Sequence, residues 1–180
     1  MRIAILLTLI AATSSVAGLT KIKEPAYAHS ANVGAFASCR GEDLSVRHVS
    51  EDAAMGGHDL IDYALRNNSS SPCTLKGYPR FELLGRSGKL RRRGRAVNSQ
   101  LLPGAESKEA PQLITLEPGK EAGFRVYYNS GGAGHMGKPC PVSRKIRITA
   151  PGTTRHFILR ENIRLCFGLA VSAVRKTLPE

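Results

Sequence analysis

The sequence predicts an all-β fold, a small antiparallel β-sandwich stapled by two disulfides. Three observations predict it. About eight short runs alternate apolar and polar residues, with turn residues every ten or so positions. No segment sustains a helical period. Four cysteines (Cys39, Cys73, Cys140 and Cys166) lie beyond an N-terminal stretch built like an export signal. An even cysteine count in an exported chain reads as disulfides and not as a metal cluster.

The elements follow in chain order. Met1-Arg2 supplies a short positive region, Ile3 to Ala12 an apolar run, and Ala26-Tyr27-Ala28 the small residues at a cleavage site. Residues 1–28 are therefore expected to be a signal peptide, with Ala17 as an alternative cleavage point. The apolar stretch to Leu19 is broken by Thr13-Ser14-Ser15 and is shorter than the roughly 20 residues a spanning helix needs. No later stretch could cross a membrane. The mature chain, 29–180, is expected to form one domain with its core between about 36 and 175.

Leu44 to Val49 suits a first strand, and Gly56-Gly57 breaks the chain. Leu60 to Leu65 puts Ile61, Tyr63 and Leu65 on one face and Asp62 on the other. Asn67 to Pro72 is a dense turn cluster. Tyr78 to Leu84 is a third strand, with Phe81 and Leu83 on one face, and Gly85 to Gly88 turns it. Gly94 to Ala110 reads as a long loop carrying a short strand. Leu113 to Leu116 is a strand, followed by Glu117-Pro118-Gly119-Lys120, whose Pro and Gly sit where a type II turn needs them. Ala122 to Tyr128 is expected to turn Phe124, Val126 and Tyr128 inward. A Gly-rich loop runs from Asn129 to Gly137. Lys145 to Ala150 alternates cleanly, placing Ile146 and Ile148 inward. Pro151-Gly152 turns it into Arg155 to Leu159, and Ile163 to Val174 holds the last strand or two.

Four cysteines allow three pairings. In a hairpin, residues equidistant from the turn face each other. Cys39 and Cys73 are symmetric about position 56, inside the Gly56-Gly57 break. Cys140 and Cys166 are symmetric about position 153, inside the Pro151-Gly152-Thr153 turn. Both midpoints coincide with turns identified independently, so the expected bridges are Cys39–Cys73 and Cys140–Cys166.

These residues also carry a resemblance. Cys39 is followed by Leu44, then by Gly57-His58 before a strand. The run Asn67-Asn68-Ser69-Ser70-Ser71-Pro72-Cys73-Thr74-Leu75-Lys76-Gly77-Tyr78-Pro79 is the most specific part. Leu116-Glu117-Pro118-Gly119 with Ala122, Cys140, a strand ending at Pro151 and Cys166-Phe167-Gly168 complete it. Over residues 39 to about 174 the chain resembles the bacterial domain of unknown function family 4232, common in secreted actinobacterial proteins. The resemblance implies an immunoglobulin-like or related β-sandwich, exported and often membrane-tethered. It implies no activity and no catalytic residues.

Charge supplies the main functional clue. The chain carries a formal net charge of +12, of which the signal accounts for +2. Arg86, Lys89, Arg91, Arg92, Arg93 and Arg95 fall within ten residues that contain no acid. Such a field favours an anionic partner, such as a phosphorylated envelope polymer, acidic polysaccharide, nucleic acid or anionic lipid. No aromatic residue interleaves the run, so stacking on bases is not indicated. The plainer alternative is a solvated face that keeps the protein soluble. The segment is expected on an exposed hairpin or loop where all its arginines reach one ligand.

Catalytic motifs are not found. There is no Gly-x-Ser-x-Gly elbow. Gly131-Gly132-Ala133-Gly134 lacks the lysine and helix of a phosphate-cradling loop. The cysteine spacing fits no zinc pattern. Met55, His58, His135 and Met136 flank the two Gly-rich turns, and thioether with imidazole is a ligand set for copper(I). Three classes remain: an exported non-enzymatic binding domain of the cell envelope, contacting an anionic polymer or another envelope protein; a copper-handling protein; and a hydrolase with an unrecognised site. The first is the expectation, with no cofactor.

Overall fold

The structure, a computed structural model, describes residues 36–54, 56–97, 111–131 and 139–176. The expected signal peptide, 1–28, lies outside the described residues. The described residues contain thirteen strands, one three-residue 3-10 turn at Gly41–Asp43 and no α-helix.

The strands are β1 (Leu44–Ala54), β2 (His58–Asn67), β3 (Cys73–Lys76), β4 (Arg80–Leu84), β5 (Leu90–Arg93), β6 (Arg95–Val97) and β7 (Leu113–Leu116). Then come β8 (Glu121–Asn129), β9 (Val142–Ser143), β10 (Lys145–Thr149), β11 (His156–Leu159), β12 (Ile163–Arg164) and β13 (Phe167–Ser172). One sheet has the order β1-β2-β8-β13-β6 and a second the order β11-β10-β4-β5. Two small pairs, β3-β7 and β9-β12, complete the set. All pairings are antiparallel except β13-β6, which is parallel.

The two large sheets share one core. Ile61, Tyr63, Leu65, Phe81, Leu83, Phe124, Val126, Ile146 and Ile148, the inward residues that alternation selects, are each at most 1% exposed. The Tyr63 ring packs on Phe124 within its own sheet at 5.5 Å and on Phe81 of the facing sheet at 5.7 Å. Burial of aromatic and branched side chains on one face of each strand drives the two sheets together.

The turns use glycine where the backbone demands it. Gly119 has φ +74°, and the Lys120 N–H donates to the Glu117 carbonyl at 3.0 Å, as a type II turn requires. Gly57, at φ +74°, lies so close to Gly131 that an added Cβ would sit 2.7 Å from its Cα. There the β1-β2 turn touches the stem of the loop beginning at Asn129.

Both disulfides join the expected partners, Cys39–Cys73 and Cys140–Cys166. The second extends a hairpin at its open end, whereas the first lies beyond the end of one, where Ser38 and Thr74 form a parallel bridge. The β1-β2 ladder runs to Leu44↔Asn67, and the Cys39 N–H beyond it donates to the Thr74 carbonyl. The β10-β11 ladder is continued by Ile163↔Ser143, a pair centred on the same position 153 as the second bridge.

Several details depart from the expectations. β1 runs on to Ala54, and β3, β5 and β9 are additional strands. Asp62, expected on an outward face, is buried, because its register partner Arg125 is buried beside it. Arg125 Nε and Nη2 donate to the two Asp62 carboxylate oxygens, each at 2.7 Å. The five-stranded sheet also carries a small second apolar cluster on that side, formed by Val97, Tyr127 and Ala170 with Leu60 against them.

Candidate functional site

The basic segment does not form one surface. The β4-β5 hairpin turns through Gly85–Gly88, and Arg86 and Lys89 lie exposed at its tip. β5 is the edge strand of the four-stranded sheet. Its register with β4 pairs Glu82 with Arg93 and Leu83 with Arg92, so Arg92 and Arg93 leave the strand on opposite sides. A register shift between Leu83 and Leu84 takes up Arg91, whose Nη1 donates to the Val142 carbonyl at 3.1 Å. At Gly94 the chain crosses to the other sheet, and Arg95 lies in β6 beside β13. The expectation that all the arginines reach one ligand is therefore corrected. Strand alternation and the change of sheet divide them.

Arg93 has a structural partner that the sequence run conceals. Its Nε and Nη2 donate to Glu82 Oε1 at 2.9 and 2.8 Å, while Arg147 Nε donates to Glu82 Oε2 at 2.6 Å. Glu82 itself is 1% exposed. Burial alone would push its carboxyl up, but the bonds from Arg147 and Arg93 outweigh that and hold it below the ordinary value. By contrast, the side chains of Arg86, Lys89 and Arg92 have no hydrogen-bond or ion-pair partner among the described residues.

The outer face of the four-stranded sheet is more basic than the sequence suggests. The unbroken register of β4 with β10 puts Arg80, Glu82 and Leu84 on the face opposite Phe81 and Leu83. Lys145, Arg147 and Thr149 share that face. Arg80 and Lys145 are exposed, and Glu82 is the acid among these residues. Arg80 lies outside the run and Lys145 and Arg147 lie far along the chain beside Arg144, so nothing in the sequence joins them to Arg93. Only the strand pairing gathers them.

The most specific part of the family signature proves to be architectural. Asn67 is fully buried and satisfies all four of its side-chain valences. Its Nδ2 donates to the carbonyls of Ser71 (2.8 Å) and Leu116 (3.0 Å), and its Oδ1 accepts from Ser69 N–H (3.0 Å) and Oγ (2.8 Å). Its backbone carbonyl also accepts from Gly119 N–H at 2.8 Å. The side chain thus ties the Asn-to-Pro loop to the end of β7, and the Asn67 backbone holds the Glu117–Lys120 turn.

Of the copper-ligand candidates, His58 opens β2, whereas Met55, His135 and Met136 lie outside the described residues. Among the described residues no group of three or more His, Cys, Asp or Glu is placed to hold a metal. The stems of the two Gly-rich loops do meet. Ser130 N–H donates to the Gly57 carbonyl at 2.9 Å, and Asn129 Nδ2 to the Gly56 carbonyl at 3.1 Å.

A second titratable group lies at the β1-β2 side. His48 Nδ1 is 3.3 Å from Glu161 Oε1, and Tyr128 Oη donates to Glu51 at 3.1 Å. Burial, with the charge of Glu161 adding to it, pushes the buried Tyr63 hydroxyl well above the ordinary tyrosine value. Burial and the Glu51 charge do the same to Tyr128. Both hydroxyls stay protonated and serve as polar packing groups.

No helix among the described residues is long and apolar enough to cross a membrane. The family model described as Domain of unknown function (DUF4232) matches residues 39–176. No curated protein and no solved structure matches the chain significantly.

Proposed function

The chain belongs to the DUF4232 family of domains of unknown function, and from that premise we propose an exported, non-enzymatic binding domain of the bacterial cell envelope that holds an anionic polymer through its basic segment. The observation that carries this reading is the placement of Arg86, Lys89 and Arg92. They project from an exposed hairpin tip and edge strand, and no acid among the described residues neutralises them. Exposed cations that the fold does not use for its own stability are available to a partner. Export is supported by the signal-like N-terminus and by two disulfides, which persist in oxidising compartments.

The test is the affinity for long-chain polyphosphate of the parent and of an Arg86→Ser/Lys89→Ser/Arg92→Ser variant. The expected result is roughly tenfold weaker binding at an unchanged melting temperature. Equal affinity in the two proteins would leave the segment as a solvated face.

A second reading is a copper(I) site using Met55, His58, His135 and Met136. The hydrogen bonds that join the two loop stems favour it. Anaerobic copper(I) titration in a buffer that spares disulfides tests it, and absence of binding tighter than micromolar removes it.

A further inference from the structure

We infer that the outer face of the four-stranded sheet is a preorganised binding site for phosphate groups, centred on the Arg93–Glu82–Arg147 triad and flanked by Arg80 and Lys145. The inference rests on the anionic-polymer reading and specifies which surface the polymer occupies and which chemical group it presents.

The geometry supplies the argument. Four cations from three adjacent strands share this face with one carboxylate, that of Glu82. Neighbouring strands lie about 4.8 Å apart, and same-face residues along a strand about 7 Å apart, so the cations cover a compact area. Glu82 is buried, and its two oxygens are occupied by Arg93 and Arg147. Among these five described residues it neutralises one charge and leaves a net of three positive charges.

Glu82 also fixes both guanidiniums. A free arginine loses rotamer entropy when it captures a ligand, whereas these two are already held side by side. Arg93 spends Nε and Nη2 on Glu82, and Arg147 spends Nε. Among the described residues nothing else engages Arg93 Nη1 or the Nη groups of Arg147, which remain as donors. The side chains are 57% and 29% exposed, so a ligand can reach them. Planar forks with spare N–H groups suit the several acceptor oxygens of a phosphate, and Lys145 adds a point charge. A single carboxylate would fill fewer of these donors.

Two-dimensional NMR of arginine Nε–Hε groups, with tripolyphosphate as probe, tests the site. The expected result is saturable shifts at Arg93 and Arg147. Arg93→Gln or Arg147→Gln would strand Glu82 and risk unfolding. Binding is therefore compared in Arg80→Gln/Lys145→Gln, which removes two exposed cations, and in the hairpin-tip variant Arg86→Ser/Lys89→Ser/Arg92→Ser. The site predicts an affinity loss of about tenfold or more in Arg80→Gln/Lys145→Gln with an unchanged melting curve. If only the tip variant loses affinity, the sheet-face site is overturned while the basic-segment reading stands. If only the sheet-face variant loses affinity, the site stands and the hairpin tip is not a contact. If the parent binds anionic vesicles but not tripolyphosphate, the partner is a membrane surface and the phosphate site is overturned.

Discussion

Arg92 and Arg93 are neighbours in sequence and opposites in role. Arg93 satisfies a buried carboxylate, so Arg93→Ser should lower stability by about 1–3 kcal/mol, measured by urea denaturation. Arg92→Ser should stay within about 0.5 kcal/mol. Equal losses would contradict the assignment. The same carboxylate sets a pH dependence. The folded-state pKa of Glu82 lies below the ordinary 4.5, so its contribution is full above that value and is lost as pH falls through the depressed one. Glu121, held down mainly by its hydrogen bond from Arg47, acts in the same direction. Glu82→Gln should therefore flatten the acid arm of the stability profile below pH 4.5, and an unchanged slope would show that the triad contributes nothing there. Asn67 offers a stronger case. Asn67→Ala removes four hydrogen bonds of a buried side chain and should cost about 3 kcal/mol, more than any single surface substitution. None of these roles is visible in composition. The Asn-to-Pro run could be singled out in sequence, but the satisfaction of Asn67 depends on Leu116, which comes from a different strand.

Periodicity identifies the long central strands, because in β2, β4, β8 and β10 one face carries the apolar side chains of the core while the other includes Asp62, Glu82, Arg125 and Arg147, which alternate with them even where both faces are buried. It misses β3 and β9, which are short, and β5, whose residues are mostly arginine. It also misplaces Asp62, since an ion pair across two strands has no period. Hairpin symmetry selects the right partners for both disulfides, but register explains only Cys140–Cys166, which continues its ladder through Ile163↔Ser143; Cys39 and Cys73 meet beyond the β1-β2 ladder, beside the parallel Ser38↔Thr74 bridge. The turns make a further prediction. Gly56 and Gly57 both have positive φ, but an added Cβ at Gly57 meets the Gly131 backbone at 2.7 Å, whereas at Gly56 the nearest contact is the His58 ring at 3.5 Å. Gly56→Ala should cost about 1–2 kcal/mol from backbone strain alone. Gly57→Ala should cost clearly more, because backbone atoms of the neighbouring loop must also move. Thermal denaturation of the two variants compares them, and equal melting temperatures would refute the close approach.

At the scale of the whole molecule, a core with no tryptophan is held by two facing sheets and two covalent staples. Each bridge closes a loop of 34 or 26 residues, for which chain entropy implies about 3–4 kcal/mol. The architecture was legible in the sequence because burial pattern, turn chemistry and cysteine symmetry agree. The candidate site was legible only as a charged run, and the sheet then redistributed it. Arg93 is tied to the fold, Arg95 goes to the other sheet, and Arg80, Lys145 and Arg147 join from elsewhere. On the proposed function, this rigid frame displays exposed cations to a polyanion. The most direct test of that reading is the affinity for long-chain polyphosphate as salt rises from about 50 to 200 mM. Binding at low salt should fall steeply and linearly on logarithmic axes, because each neutralised phosphate releases condensed counterions. No binding at low salt, or an affinity that salt does not move, would contradict the reading.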